Sequence, residues 1–263
     1  MSERSGRSGI GRDLAGTAAL VTGASSGIGE ATARALAARG AAVALVARRA
    51  ERLERLAGEI EKAGGRAVAL AADVTDGGAA ADVVARAVDR FGRLDTVVAN
   101  AGVMLLGPVE HAEVSDWEQM VSLNVMGCLY VARAALGELL RAARQSADKV
   151  ADLVLVSSIA GRRADAGSAV YNLTKHGVGA FAEALRQEVT QRHVRVSVVE
   201  PGPVTTELTS HLSPELRARA DERWRDVTVL EADDIADAIE YIVTRPRHVA
   251  VNELVVRPSE SVF

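Results

Sequence analysis

The stretch Thr22-Gly-Ala-Ser-Ser-Gly-Ile-Gly29 constrains this chain more than any other, because an apolar run from Thr17 to Thr22 ends in it and a helical pattern begins after it. A strand that feeds a helix through a glycine turn points to an α/β layer architecture. Gly23, Gly27 and Gly29 let the backbone turn tightly and come close to a ligand, and the unpaired N–H groups and dipole of the following helix favour an anion. The stretch therefore outlines a pyrophosphate site, with Ser25, Ser26 and Ile28 set between the glycines. Its spacing is G-x-x-x-G-x-G, which departs from the G-x-G-x-x-G dinucleotide fingerprint, so on spacing alone a tight turn without a ligand is a rival reading.

Strands then alternate with helices. Ala42 to Ala47 reads as the second strand, followed by Arg48-Arg49 and a helix to Lys62 that Gly64-Gly65 stop. Arg66 to Ala71 is the third strand, with Asp73-Val74-Thr75 and a helix from Gly78 to Phe91 behind it. Leu94 to Ala99 is the fourth and delivers Asn100-Ala101-Gly102, small residues that suit close passage of a ligand. Ser115 ahead of Asp116-Trp-Glu118 reads as a capping box opening a long helix that carries Asn124. Arg141 to Asp152 reads as a polar surface excursion, Asp152 to Val156 as the fifth strand, Arg195 to Val199 as the sixth and Ala250 to Arg257 as the last, after a helix beginning at Asp233. This alternation predicts one α/β domain, a Rossmann-type doubly wound parallel sheet of about seven strands with helices on both faces. The domain spans 14–263; a Gly/Ser/Arg-rich arm, 1–13, is expected to be disordered. The polar stretch 207–231 reads as a lid.

Candidate chemistry sits behind the fifth strand. Ser157 and Ser158 leave its C-terminal end, where open α/β sheets place their active groups. Tyr171 and Lys175 lie at i and i+4 on one helix face, so an ammonium can approach a phenol and favour its ionised form. Bringing a phenol from about 10 to about 7 takes roughly 4 kcal/mol. Taken alone, Tyr-x-x-x-Lys also describes a packed ring beside a solvated stem; Ser158, thirteen residues before Tyr171, tips the reading toward chemistry. Asn124, a poor helix former in an apolar stretch, suggests a functional or backbone-bridging role.

Ser158, Tyr171 and Lys175, with the glycine turn and Asn100-Ala-Gly102, resemble the motif set of the short-chain dehydrogenase/reductase family in family order, from about Leu14 onward. One position departs, since Ala99 stands where the family usually shows the first Asn of Asn-Asn-Ala-Gly. The resemblance implies hydride transfer between a nicotinamide and a carbonyl or alcohol carbon, with a catalytic set of Asn124, Ser158, Tyr171 and Lys175 and no metal. It implies that Ser158 polarises the carbonyl, Tyr171 exchanges the proton, Lys175 binds the ribose and lowers the phenol, and Asn124 holds a water leading to solvent. It assigns cofactor contacts to Gly23, Ser25, Ser26, Gly27, Ile28, Gly29, Asp73 (at the adenine), Val74, Asn100, Ala101, Gly102, Tyr171, Lys175, Pro201, Gly202, Val204 and Thr206, the last two at the carboxamide. The residues themselves leave Asp73 open to a simple turn with Thr75. Within the family the chain is similar to NADP-dependent 3-hydroxy acid dehydrogenases and clavulanic acid dehydrogenase, through segments such as 29–36 and Ala184-Leu-Arg-Gln-Glu-Val-Thr190. That suggests a small polar aldehyde, ketone or 3-hydroxy acid substrate. Family members commonly form dimers or tetramers through the helices carrying Asn124 and Tyr171 and the last strand; Ala132, Ala134, Ala135, Ala180, Ala182 and Ala184 would permit close helix packing, although core packing inside the subunit reads the same. A catalytically silent NADP-binding scaffold or redox sensor on the same fold is the rival reading.

The cofactor preference is read from the residues. About twenty residues after the glycine turn, an NAD site places a carboxylate on the ribose hydroxyls. Here Ala47 stands at that place with Arg48 and Arg49 after it, which predicts NADP(H), Arg48 being the expected main contact because it directly follows the strand. Arg162 or Arg163 could attract a substrate carboxylate, although a solvated or interface arginine is the more ordinary reading. A net charge of −4 and pI near 5.8 argue against a nucleic-acid partner. The only cysteine, Cys128, reads as a small buried residue and fits a reducing cytoplasm. The histidines, His111, His176, His193, His211 and His248, show no ligand spacing. No segment reads as a membrane span or signal peptide.

Overall fold

The computed structural model describes residues 12–208, 218, 222, 224–225 and 227–261. Its centre is a sheet of seven strands, β1 (Ala18–Thr22), β2 (Ala42–Ala47), β3 (Arg66–Ala71), β4 (Thr96–Ala99), β5 (Ala151–Val156), β6 (Val194–Pro201) and β7 (Glu253–Val256). The order is β3-β2-β1-β4-β5-β6-β7 and every neighbouring pair is parallel. The middle strands β1, β4, β5 and β6 are buried throughout, as the continuous Val, Ala and Leu runs of a sheet covered on both faces require.

The covering helices divide by face. Leu36 of α1 (Gly27–Ala38), Leu53 and Leu56 of α2 (Ala50–Lys62) and Ile235 and Ile239 of α7 (Ala232–Val243) pack with Val21, Val43 and Val154 on one side. Val83 of α3 (Gly77–Phe91), Leu139 of α5 (Cys128–Gln145) and Leu185 of α6 (Ala169–Val189) pack with Leu20, Val97 and Leu153 on the other. Connections leave β1 toward β2 on one side while β4 lies on the other, so the order of strand addition reverses there. A crevice opens at the C-terminal ends of β1 and β4, where doubly wound sheets bind ligands.

Several local readings change. Helix α4 (Val114–Met120) starts at Glu113 with no side-chain cap, so Ser115 lies inside the helix and the expected capping box is absent. Arg141 to Gln145 complete α5, because Leu139, Ala142 and Ala143 carry its apolar face onward. Asp152 is likewise no part of a surface excursion but buried within β5. Strand β6 runs on to Pro201, which pairs with Val256 beyond the last β5 partner, Val199, so no sheet bond on the β5 side needs the missing N–H. The expected arm ends earlier than residue 13: Arg12 donates its backbone N–H to Thr244 O at 2.8 Å and its guanidinium to Asp152 at 2.9 Å. The rest of that arm lies outside the described residues, as does most of the stretch expected to form a lid. The helical run Val114–Gln145 is, against expectation, long and apolar enough by length and composition to cross a bilayer. Here its Val131, Ala132, Ala135 and Leu139 pack against the sheet.

Candidate active site

Ser157 and Ser158 emerge from β5 in extended backbone and enter a short 3-10 turn, Ile159–Gly161. The Ser158 hydroxyl oxygen accepts from Ala160 N at 3.1 Å, and the buried Ser157 hydroxyl donates to Lys175 O at 3.1 Å. The turn lies directly on α6, because a Cβ on Gly161 would come within 2.9 Å of both Lys175 O and Ser157 Oγ. The serine and the Tyr171-to-Lys175 helix are thus fixed against each other.

Tyr171 and Lys175 are both buried. Lys175 Nζ lies 5.7 Å from the centre of the Tyr171 ring and donates to Val156 O at 3.0 Å. Burial pushes the phenol up to about 12, a hydrogen bond with Ser158 acting the other way. Burial also pushes the Lys175 ammonium down to about 8. Removal of both groups from water dominates, and the ammonium is committed to a carbonyl.

Asn124 sits in a π-helical segment, Val121–Gly127, between α4 and α5, a widened turn of a kind frequent at functional sites. Its Oδ1 accepts from Val103 N at 2.8 Å, and its Nδ2 donates to Val103 O at 2.9 Å and Thr174 Oγ1 at 3.3 Å. The amide thus joins the loop after β4 to α6, as the backbone-bridging reading anticipated.

On the other side of the crevice, the Thr22 hydroxyl accepts from Asn100 N and Ala101 N, each at 3.0 Å, while Asn100 Nδ2 donates to Thr22 O at 3.0 Å. These bonds seat Asn100, Ala101 and Gly102 beside the glycine turn. Gly23 and Gly27 adopt left-handed backbone, and a Cβ on Gly29 would lie 2.3 Å from Gly23 O. Ser26, the N-cap of α1, makes no side-chain cap bond. Arg49 donates instead to the Ser25 hydroxyl at 2.8 Å and to the Ser26 hydroxyl at 2.7 Å. First-turn amides without a side-chain cap, flanked by a guanidinium and hydroxyls, fit an anionic dinucleotide.

The short chain dehydrogenase family model matches residues 17–217. The chain belongs to the short-chain dehydrogenase/reductase family. It is 36% identical over 244 residues to an uncharacterised oxidoreductase of Staphylococcus saprophyticus, covering 91% of this chain and 95% of that one. Among solved structures, the closed form of a serine dehydrogenase complexed with NADP+ superimposes with a TM-score of 0.85 at 30% identity, over 94% of this chain and 97% of the other. A 3-ketoacyl-(acyl-carrier-protein) reductase from Brucella melitensis complexed with NADH gives 0.85 at 29% identity, over 95% and 100%. An alcohol dehydrogenase from Thermococcus sibiricus complexed with 5-hydroxy-NADP gives 0.81 at 29%, over 93% and 97%. Family membership makes this chain an oxidoreductase that works with a nicotinamide cofactor on a small molecule.

The fold brings together most residues singled out from the sequence. Asp73 accepts from Thr75 N at 3.0 Å and Thr75 Oγ1 at 2.8 Å, bonds that hold its carboxyl below the usual range with help from Arg48. Val74 is buried and packs beside Gly127. Past Pro201 and Gly202, Val204 bridges to Leu230, and the Thr206 methyl reaches the glycine turn, 3.0 Å from where a Gly27 Cβ would stand. The structure places Arg49 rather than Arg48 on the glycine turn, through its bonds to the Ser25 and Ser26 hydroxyls. Arg162 is held by Glu200 and Glu253, and Arg163 pairs with Asp165 at 3.2 Å. Arg162 is thus engaged against β6 and β7, because the nearly buried Glu200 carboxylate requires a cation. Arg52 and Glu207 went unnoticed in the sequence: Arg52 lies one turn beyond Arg49, and both arginines pair with Glu207, at 2.6 and 2.8 Å. Arginines at i and i+3 were the only available signal.

Proposed function

We propose that this dehydrogenase is an NADP(H)-dependent carbonyl/alcohol oxidoreductase in which Tyr171 exchanges a proton with the substrate oxygen. The observation that carries the reading is the convergence of Ser158, on a turn packed against the backbone of α6, with the buried Tyr171 and with Lys175 one helical turn behind, its Nζ 5.7 Å from the Tyr171 ring centre. A substrate oxygen that meets both hydroxyls is polarised by Ser158 and protonated by Tyr171. The nicotinamide, when bound, supplies or accepts the hydride. Lys175, drawn from Val156 O toward a ribose and the phenol, favours the phenolate in the oxidative direction. Asn124 holds the floor of the site through Val103 and Thr174 and lies on the proton route from Lys175 toward solvent.

Preference for NADP(H) follows from Ala47, which offers neither a hydrogen-bond acceptor for a 2′-OH nor repulsion of a 2′-phosphate. Arg48, Arg49 and Arg52 all follow it within five residues. The serine dehydrogenase and the Thermococcus sibiricus enzyme, both with NADP-type ligands, support the reading. Serine is itself a 3-hydroxy acid, which supports a small polar 3-hydroxy acid or aldehyde as substrate. The buried Cys128 suits the reducing cytoplasm in which we place the enzyme. We also read it as a dimer or tetramer. Ala132, Ala135 and Ala182 are spent in the subunit's own core, which leaves exposed Leu173, Ala180 and Ala184 on α6 for a second copy; sedimentation as a monomer at micromolar concentration would sink that reading.

The decisive experiment follows the reduced cofactor's absorbance with panels of aldehydes, ketones and 3-hydroxy acids, using NADP(H) and NAD(H) in parallel. The expected kcat/KM favours NADP(H) by about tenfold or more, the worth of one charged hydrogen bond. Equal values overturn the preference, and tight binding without turnover on any substrate would mark a silent scaffold.

A further inference from the structure

Glu207 follows Thr206 at the end of the loop after β6, and its carboxylate bridges two cations, Arg49 Nη1 at 2.8 Å and Arg52 Nη1 at 2.6 Å. Arg49 is also the residue whose guanidinium rests on the Ser25 and Ser26 hydroxyls of the glycine turn. The loop is laid on the turn at a second point, through the Thr206 methyl beside Gly27. The pair of guanidiniums pushes the Glu207 carboxyl down to about 2, so the group is anionic under all ordinary conditions. Within this chain, an acidic side chain therefore supplies the anion to the same two arginines that the absence of an acid at Ala47 leaves for a cofactor phosphate.

We infer that Glu207 is a tethered anion that competes with the 2′-phosphate of NADP(H) for Arg49 and Arg52, and so sets how strongly the enzyme separates NADP(H) from NAD(H). The inference rests on the NADP(H) reading above. A guanidinium pairs with carboxylate and phosphate through the same planar fork, so the two anions seek the same donors. Tethering gives the carboxylate a high effective concentration at the arginines. A ligand carrying the 2′-phosphate must displace Glu207 or lie beside its like charge, and either is unfavourable. A ligand ending in a 2′-OH leaves the Glu207 pairs intact. The penalty falls on one cofactor only, which makes Glu207 a specificity-determining residue and not a general gate.

The test is equilibrium binding of adenosine 2′,5′-bisphosphate and adenosine 5′-monophosphate to the full-length protein, its Glu207→Gln variant, an Arg49→Gln, Arg52→Gln variant and the triple combination. Glu207→Gln is expected to tighten the bisphosphate by about threefold to fivefold, the upper part of the range of an exposed ion pair, and to move the monophosphate by less than about twofold. The gain should vanish when both arginines are replaced. An unchanged or weakened bisphosphate affinity, a parallel change for both ligands, or a gain that survives loss of the arginines overturns the inference. The NADP(H) reading is tested separately by the wild-type ratio of the two affinities, so either can fail while the other stands.

Discussion

A phenol pushed up to about 12 exchanges protons poorly near neutral pH, so Tyr171 as the chain alone holds it is not yet tuned for its proposed task. The tuning group is at hand, but burial acts on it too: the Lys175 ammonium is down at about 8. This has a consequence for stability. Between about 8 and the unperturbed 10.5, the unfolded chain holds a proton on this lysine that the folded protein has released, so stability from this residue rises with pH across that window. Lys175→Met should remove that rise, read as urea midpoints at the two ends of the window; a slope identical to wild type would count against the buried, depressed amine. Tyr171→Phe tests the proposed proton exchange itself. It keeps the ring and its packing, so NADPH affinity by fluorescence titration should hold within about twofold, while kcat falls by about 10²–10⁴-fold, the usual worth of a positioned acid. A variant retaining kcat would remove Tyr171 from the mechanism. Residue identities were thus legible as a spacing pattern, whereas the directions of their proton affinities were not, because these depend on burial that no local pattern displays.

Among the elements, the Ile159–Gly161 turn matters most, since it sets the distance between Ser158 and the helix bearing Tyr171. An added Cβ at Gly161 would press on Lys175 O and Ser157 Oγ, each at 2.9 Å, and on the Lys175 carbonyl carbon at 3.1 Å. Backbone cannot yield as a flexible side chain does, so Gly161→Ala should lift the turn from α6 and cost about 1–3 kcal/mol of stability. The turn lies apart from the glycine loop. Accordingly kcat should drop with NADPH affinity nearly unchanged, and an unaltered kcat would show that the turn does not position Ser158. The alternation of strands and helices was readable because each Val/Ala/Leu run stops at a residue that changes direction, as at Gly23, Arg48 and Asn100. The failures were of two kinds. Ser115 looked like a cap because Ser and Glu stood at cap spacing, yet the helix already begins at Val114. Arg141 to Gln145 looked like a loop because charged residues masked the apolar spacing of Leu139, Ala142 and Ala143. The π-helical turn around Asn124 and the Arg162–Glu200–Glu253 cluster left no local trace, and the partner of Arg49 and Arg52, Glu207, left none either, since each is set by tertiary packing.

At the scale of the whole molecule, the two ends of the sheet carry different duties. Ser158, Asn100 and the glycine turn gather at the C-terminal ends of the strands; the opposite end is closed by an ionic clasp. Asp152, near the start of β5 and fully buried, receives Arg195 Nε at 2.7 Å, Arg195 Nη2 at 2.9 Å and Arg12 Nη2 at 2.9 Å. Arg195 also donates to the carbonyls of Val243, Arg245 and Val249, and Arg12 Nε donates to Val243 O at 2.8 Å. One carboxylate thereby joins the beginning of the domain, the sheet centre, the end of α7 and the approach to β7. Such a cluster is poor evidence of net stabilisation, because desolvating the charges offsets most of their attraction, but breaking it is costly. Arg195→Ala would leave Asp152 with Arg12 alone and strip donors from the carbonyls beyond α7. A loss of about 3–5 kcal/mol is expected in urea denaturation. Replacing both partners, Asp152→Leu with Arg195→Met, should recover part of that loss, since an apolar pair carries no stranded charge and Arg12 keeps Asp148 as a partner at 3.2 Å. Because the clasp touches none of the proposed catalytic residues, kcat per folded molecule should stay within about twofold of wild type in both variants. A single variant losing less than about 1 kcal/mol, or a double variant no more stable than the single, would mean that the clasp is an ordinary exposed ion pair in its energetics and not the fastening of the sheet's far end.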